Sequence, residues 1–110
     1  MNQRNPSDAK ALSLKSRIVE IFRPFNPKMI ILFGSAVHRA SNEVEDVDLI
    51  IVYDTEKPYM SRLKELYETW NIPKAVDILA YTSSEFGLMM EESVIVQEAL
   101  KQGEVIYERG

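Results

Sequence analysis

Three aspartates and one Gly-Ser pair are the residues of this chain whose types and spacing could do chemistry. In "ILFGSAVHRASNEVEDVDLIIVYD", residues 31–54, an apolar run stops at Gly34-Ser35. Ten residues later Asp46 and Asp48 open a second apolar run, and Asp77 interrupts a third, "KAVDILAY". Carboxylates beside a core are costly to bury unless paired or bound to a metal. A strand sends alternate residues to opposite faces. Asp46 and Asp48 therefore share a face with Ile50 and Val52, while Val47, Leu49, Ile51 and Tyr53 take the other. If the strand bearing Asp77 lies beside them with its face aligned, three carboxylates converge and repel one another until a cation neutralises them. Hard cations such as Mg2+ take one or two carboxylates together with substrate phosphates and water. Two such ions about 4 Å apart can stabilise both the attacking and the leaving oxygen of a phosphoryl transfer. Gly34-Ser35 supplies the complement. Glycine lets the backbone approach a ligand closely, backbone N–H groups where a strand turns into a helix can hold phosphate, and the Ser35 hydroxyl adds a donor. His38 and Arg39, just downstream, could add positive charge on the phosphate side.

Each part has a plainer reading. Gly-Ser after a strand is ordinarily a turn, and "NEVEDVD" alone reads as a solvated acidic surface. Arg39 alone reads as a surface cation, His38 as a single exposed histidine. An aspartate within a strand can sit at an edge or cap a neighbour. What separates this set from those readings is conjunction: turn, paired carboxylates and third carboxylate, in that chain order.

The surrounding pattern supplies elements able to position them. Residues 1–6 read as a disordered lead-in, followed by a single domain over 7–110. Ser7 or Asp8 is the expected cap of a first helix that shows Ala11, Leu14, Ile18, Ile21, Phe22 and Phe25 on one face. Pro24 and Pro27 close it. "KMIILF" (28–33) reads as a buried strand, residues 36–45 as a short helix or turn with a loop, and "DVDLIIVYD" (46–54) as the second strand. Residues 57–70 read as a helix with Pro58 in its first turn, its packing face formed by Leu63, Leu66, Tyr67 and Trp70. Residues 74–81 form the third strand. Thr82 and Glu85 fit a capping box for a helix expected to run to about Gln102 and stop at Gly103. "EVIYE" is a candidate edge strand. Met89 and Met90 read as core filling, and Trp70 as a packing residue. The expected class is α+β, a three- or four-stranded mixed sheet covered by about three helices, with the direction of the first strand pair left open.

Composition narrows the function. The chain has 110 residues, a net charge of -4 and no cysteine. Without cysteine there is no disulfide framework and no thiolate metal site. An acidic chain lacks the basic footprint of a nucleic-acid binder, so stable nucleic-acid binding by this chain alone is not expected. No apolar run approaches the roughly 18 residues of a membrane span. The polar start lacks a signal-peptide core, and a cytoplasmic location is expected.

Gly34-Ser35, ten residues, then Asp46-Val47-Asp48 resembles the Gly-Ser-x10-Asp-x-Asp signature of the minimal nucleotidyltransferases (MNT), within the polymerase β-like nucleotidyltransferase superfamily. "VDILAYTSSEF" is similar to the segment where that family places its third carboxylate, and "ALKQGEVIYERG" to its usual ending. The resemblance implies the polymerase β-like fold and transfer of a nucleoside monophosphate, AMP in the first instance, from an NTP to an acceptor hydroxyl. It implies that Gly34 and Ser35, with Arg39 beside them, bind the nucleotide. It further implies that Asp46, Asp48 and Asp77 are the catalytic, metal-binding carboxylates for Mg2+, expected as two ions, with Asp77 helping to activate the acceptor. ATP is the expected substrate. The implied partner is a HEPN-domain protein, silenced as a toxin by adenylylation of a tyrosine while this chain acts as its antitoxin; a homo-oligomer is left open. The family often shows Gly-Ser-Arg-Ala-Arg-Gly, whereas this chain has Ala36 at the first Arg position and Arg39 at the Gly position. Glu45 stands where Ser often precedes the first aspartate. These differences motivate an alternative: a non-catalytic module of the same fold that neutralises a partner by binding alone. A small structural α/β subunit is the weakest third reading.

Overall fold

The computed structural model describes the backbone of residues 6–110 and the side chains of 14–40 and 42–110. The β-branched apolar runs form four strands, β1 (Met29–Phe33), β2 (Asp46–Val52), β3 (Ala75–Tyr81) and β4 (Glu104–Glu108). The segments with 3.6-residue periodicity form α1 (Pro6–Phe22), α2 (Tyr59–Thr69), α3 (Ser83–Glu92) and α4 (Val94–Gln102). Short 3-10 turns follow α1 and fill the link between β1 and β2, at Gly34–Val37 and Ser41–Glu43.

The sheet order is β3-β2-β1-β4. β1 runs antiparallel to both β2 and β4, and β2 runs parallel to β3. The β1–β2 direction left open by sequence is thus antiparallel. The parallel pair requires a crossover, which α2 supplies. The result is the four-stranded mixed α+β sheet expected, with "EVIYE" as its edge.

Strand alternation divides the core as anticipated. Val47, Leu49, Ile51 and Tyr53 meet Leu14, Ile18 and Phe22 of α1, Leu66 of α2, and Ile78 and Ala80 of β3. Trp70 stacks on Phe22 with ring centroids 6.2 Å apart. Ile50 and Val52 face the other way, onto Ile31, Phe86, Val96 and Ala99 beneath α3 and α4.

Side chains of α2 also close the outer edge of β3. The Tyr67 hydroxyl accepts from the Ile78 N–H at 2.9 Å and the Tyr59 hydroxyl from the Ala80 N–H at 3.3 Å. Arg62, buried to 6% exposure, donates to the carbonyls of Lys57 and Ala80 and to both carboxylate oxygens of Glu85.

Three details differ from the sequence expectation. The lead-in lies outside the described residues up to position 5, and the backbone is already helical at Pro6, ahead of Ser7 and Asp8. Proline suits a first helical position because the missing N–H would have no partner there. The side chain of Ala11 lies outside the described set. The run expected as one helix from Thr82 to Gln102 is two. Ser93 leaves the helical region (φ -102, ψ 119), its N–H donates to the Met89 carbonyl, and its hydroxyl accepts from the Val96 N–H at 3.3 Å. One serine ends α3 and caps α4, and the bend turns Val96 and Ala99 into the core. Met89 packs against that core, while Met90 is 43% exposed and fills nothing. The Thr82–Glu85 capping box is present. Among the described residues no helix is long and apolar enough to cross a membrane.

Candidate functional site

The β1–β2 and β2–β3 registers bring the singled-out residues together. Phe33 pairs with Asp48 across the antiparallel ladder, and Asp48 pairs with Asp77 across the parallel one. Ala75, Asp77, Leu79 and Tyr81 share one parity in β3, and Leu79 and Tyr81 pack beneath α3 and α4 with Ile50 and Val52. Asp77 therefore projects on the same face as Asp46 and Asp48. Asp46 and Asp77 are exposed and Asp48 is half-buried. Loss of solvation, followed by the negative charges of Asp77 and then Asp46, pushes the Asp48 carboxyl above its ordinary value. The register thus meets the condition the sequence left open, with all three aspartates on one face and Asp48 opposite Asp77.

Gly34 follows Phe33 directly and takes a left-handed conformation, φ +76. A Cβ built at Gly34 would collide with Asp48 Oδ2. Glycine is required here twice, by backbone conformation and by the carboxylate lying against it. The turn continues through exposed Ser35 to buried Ala36, and the His38 N–H closes it on the Ser35 carbonyl at 3.2 Å. Position 36 points into the core, where Ala fits and a long cation would not. Arg39 is exposed in the following loop.

Gly34, Ser35 and His38, with Phe33, form one wall of a cleft of about 440 Å3 whose other wall is α4, through Val94, Ile95, Glu98, Ala99 and Gln102. Arg39 does not line it. The α4 residues are functional candidates that sequence reasoning missed. Their signal was available: Val94, Ile95, Glu98 and Gln102 recur at helical spacing, on one face.

Among the described residues, no three carboxylate or imidazole groups form a ready-made cage for a metal ion. The donor set still fits a hard cation of the Mg2+ type. Such an ion keeps its waters and takes one or two carboxylates plus phosphate oxygens, and the pairing of Asp48 with Asp77 on one face offers such a carboxylate pair. Asp48 with Asp46 or Asp77 could hold it, with the Gly34-Ser35 turn alongside for phosphate.

A four-stranded mixed sheet with a Gly-Ser turn packed against Asp48, the middle one of three same-face aspartates, defines a class. Residues 16–110 match the family of polymerase β nucleotidyltransferases, and the chain belongs to that family. Two solved structures share its fold. One is a chain in the complex of tri-AMPylated Shewanella oneidensis HEPN toxin with MNT antitoxin, 19% identical, TM-score 0.60, over 90% of this chain and 73% of the other. The second is a candidate nucleotidyltransferase from Sulfolobus solfataricus, 14% identical, TM-score 0.61, over 99% of this chain and 93% of that one. No protein of curated function matches the chain in sequence.

Proposed function

We propose that this chain is a Mg2+-dependent nucleotidyltransferase that moves a nucleoside monophosphate, AMP from ATP, to an acceptor hydroxyl, with pyrophosphate leaving. The observation that carries this is the register placing Asp48 opposite Asp77, with Gly34 directly against the Asp48 carboxylate. Gly34 and Ser35 hold phosphate oxygens through backbone N–H groups and the hydroxyl. Asp46, Asp48 and Asp77 hold the metal, and Asp77 orients the acceptor and draws on its proton. Mg2+, when bound, supplies charge neutralisation for the polyphosphate. Arg39 contributes positive charge from the loop. The acceptor is a protein hydroxyl, a tyrosine of a HEPN-domain partner that this chain silences as an antitoxin in the cytoplasm. Family membership and the shared fold with the MNT–HEPN complex support that assignment.

A second reading has its own observation. Ala36, where the family often has Arg, faces the core and offers phosphate no cation, which favours a module that neutralises a partner by contact alone. One experiment separates the two. The protein is incubated with α-labelled ATP, Mg2+ and a HEPN-domain protein of the same genome. Label on the HEPN protein, abolished in an Asp46→Ala/Asp48→Ala variant that also loses neutralisation while still binding, supports transfer. Full neutralisation by that variant, with no label from the wild type, refutes it.

A further inference from the structure

The cleft beside Gly34-Ser35 has two chemically different walls. The turn wall offers backbone N–H groups and a hydroxyl. The α4 wall carries Val94 and Ile95, 71% and 57% exposed, with the polar pair Glu98 and Gln102. At about 440 Å3 the cleft is in the size range of small-molecule sites, which are mostly apolar with a few placed polar groups. The Gln102 side-chain amide donates to Glu98 Oε2 at 3.1 Å. That leaves the Gln102 amide oxygen and the second Glu98 oxygen as acceptors. Gln102 closes α4, where helix carbonyls add partial negative charge. A wall with a carboxylate, an amide oxygen and a helix C-terminus repels phosphate and attracts N–H donors.

This asymmetry sets the orientation of a bound nucleotide. Its phosphates belong on the turn and its base on α4. We infer that the α4 wall is a nucleobase subsite for a purine bearing an exocyclic amine, the ring covering Val94 and Ile95 and the amine donating to the Glu98–Gln102 pair. The inference rests on the reading of Gly34-Ser35 as a phosphate site, and it deepens that reading by naming what selects the base. A pyrimidine leaves part of the apolar wall in water. A purine without the amine loses a hydrogen bond to a charged acceptor, which is worth about tenfold in affinity.

The test is equilibrium titration of the whole protein, with Mg2+, against ATP, purine riboside 5′-triphosphate (the same ring without the amine), UTP and inorganic tripolyphosphate. ATP is expected to bind about tenfold more tightly than purine riboside triphosphate, with UTP weaker than ATP. In Glu98→Ala the ratio of ATP to purine riboside triphosphate should fall toward one. In Ile95→Asp both purine nucleotides should weaken while tripolyphosphate is unchanged. Both positions are exposed, so the variants keep the fold, and a melting curve checks this. Equal affinity for ATP and purine riboside triphosphate, with tripolyphosphate competing for both, overturns the base subsite and leaves the phosphate turn standing. Absence of binding by every ligand, tripolyphosphate included, overturns both.

Discussion

Replacing Gly34 by alanine tests the central geometry, because two separable penalties meet there. The first is backbone strain. At φ +76 an L-residue costs about 1–2 kcal/mol relative to the right-handed region. The second is the collision of the new Cβ with Asp48 Oδ2, which drives the carboxylate from its rotamer for roughly 0.5–1.5 kcal/mol. Together they predict a loss of about 2–3 kcal/mol, or a fall of roughly 10 °C in Tm for a domain of this size. The partition is checked by a double-mutant cycle. In an Asp48→Ala background the collision vanishes, so Gly34→Ala should cost only the strain. The coupling should be about 1 kcal/mol, equal to the collision alone. Urea unfolding in EDTA, followed by the fluorescence of the single tryptophan, Trp70, measures all four proteins. Equal destabilisation in both backgrounds would refute contact between the turn and the carboxylate. No destabilisation in either would refute the left-handed turn itself.

The remaining expectations concern charge and capping. Asp48→Asn should raise Tm by a few degrees in metal-free buffer at neutral pH, since burial and the neighbouring aspartates disfavour the charged form; an unchanged or lower midpoint counts against a converging site. The sign with pH follows. Asp48, raised above 3.8, takes up its proton in the folded state first, so acidification from neutral relieves its strain. Glu85, held down chiefly by Arg62, Glu65, held down chiefly by Lys57, and Asp54, held down by Ser83, act oppositely. Their stabilisation is present above the ordinary values of 4.5 for Glu and 3.8 for Asp and is lost as pH falls through their lower folded values. The Asp48→Asn variant should therefore show a steeper acid loss of stability than wild type in a series of melts. Arg62→Met removes the donor to two carbonyls and to Glu85 and should cost about 2 kcal/mol by chemical denaturation. Thr82→Ala removes half of the capping box and should cost about 1 kcal/mol.

Local periodicity made most of the fold legible. The alternation in β2 assigned Asp46 and Asp48 to the face opposite Val47 and Leu49 because that rule depends on the strand alone. The Thr82–Glu85 box was readable because it is closed within four residues. The meeting of Asp48 and Asp77 was not readable. It depends on a parallel pairing across 29 positions, set by how α2 packs, and sequence could state it only as a condition. The break at Ser93 was hidden by the helix formers at 89–92 before it, although the capping serine and the β-branched Val94-Ile95-Val96 after it were local signs of a new start. The α4 wall went unnoticed because its apolar members look like core until the burial of their neighbours shows which face is free.

The tyrosine hydroxyls on β3 bear on how copies of this domain can associate. An unguarded sheet edge invites another strand. Along 78–80 the outward amides of β3 are already engaged by Tyr59 and Tyr67, and the Ala80 carbonyl by Arg62. Helix α2 thereby stands in for a fifth strand. Growth of an open-ended array needs two receptive edges, and the sealed β3 side leaves only β4. Strand addition at β4 would pair two copies and then terminate, on the far side of the sheet from the aspartate-bearing strands.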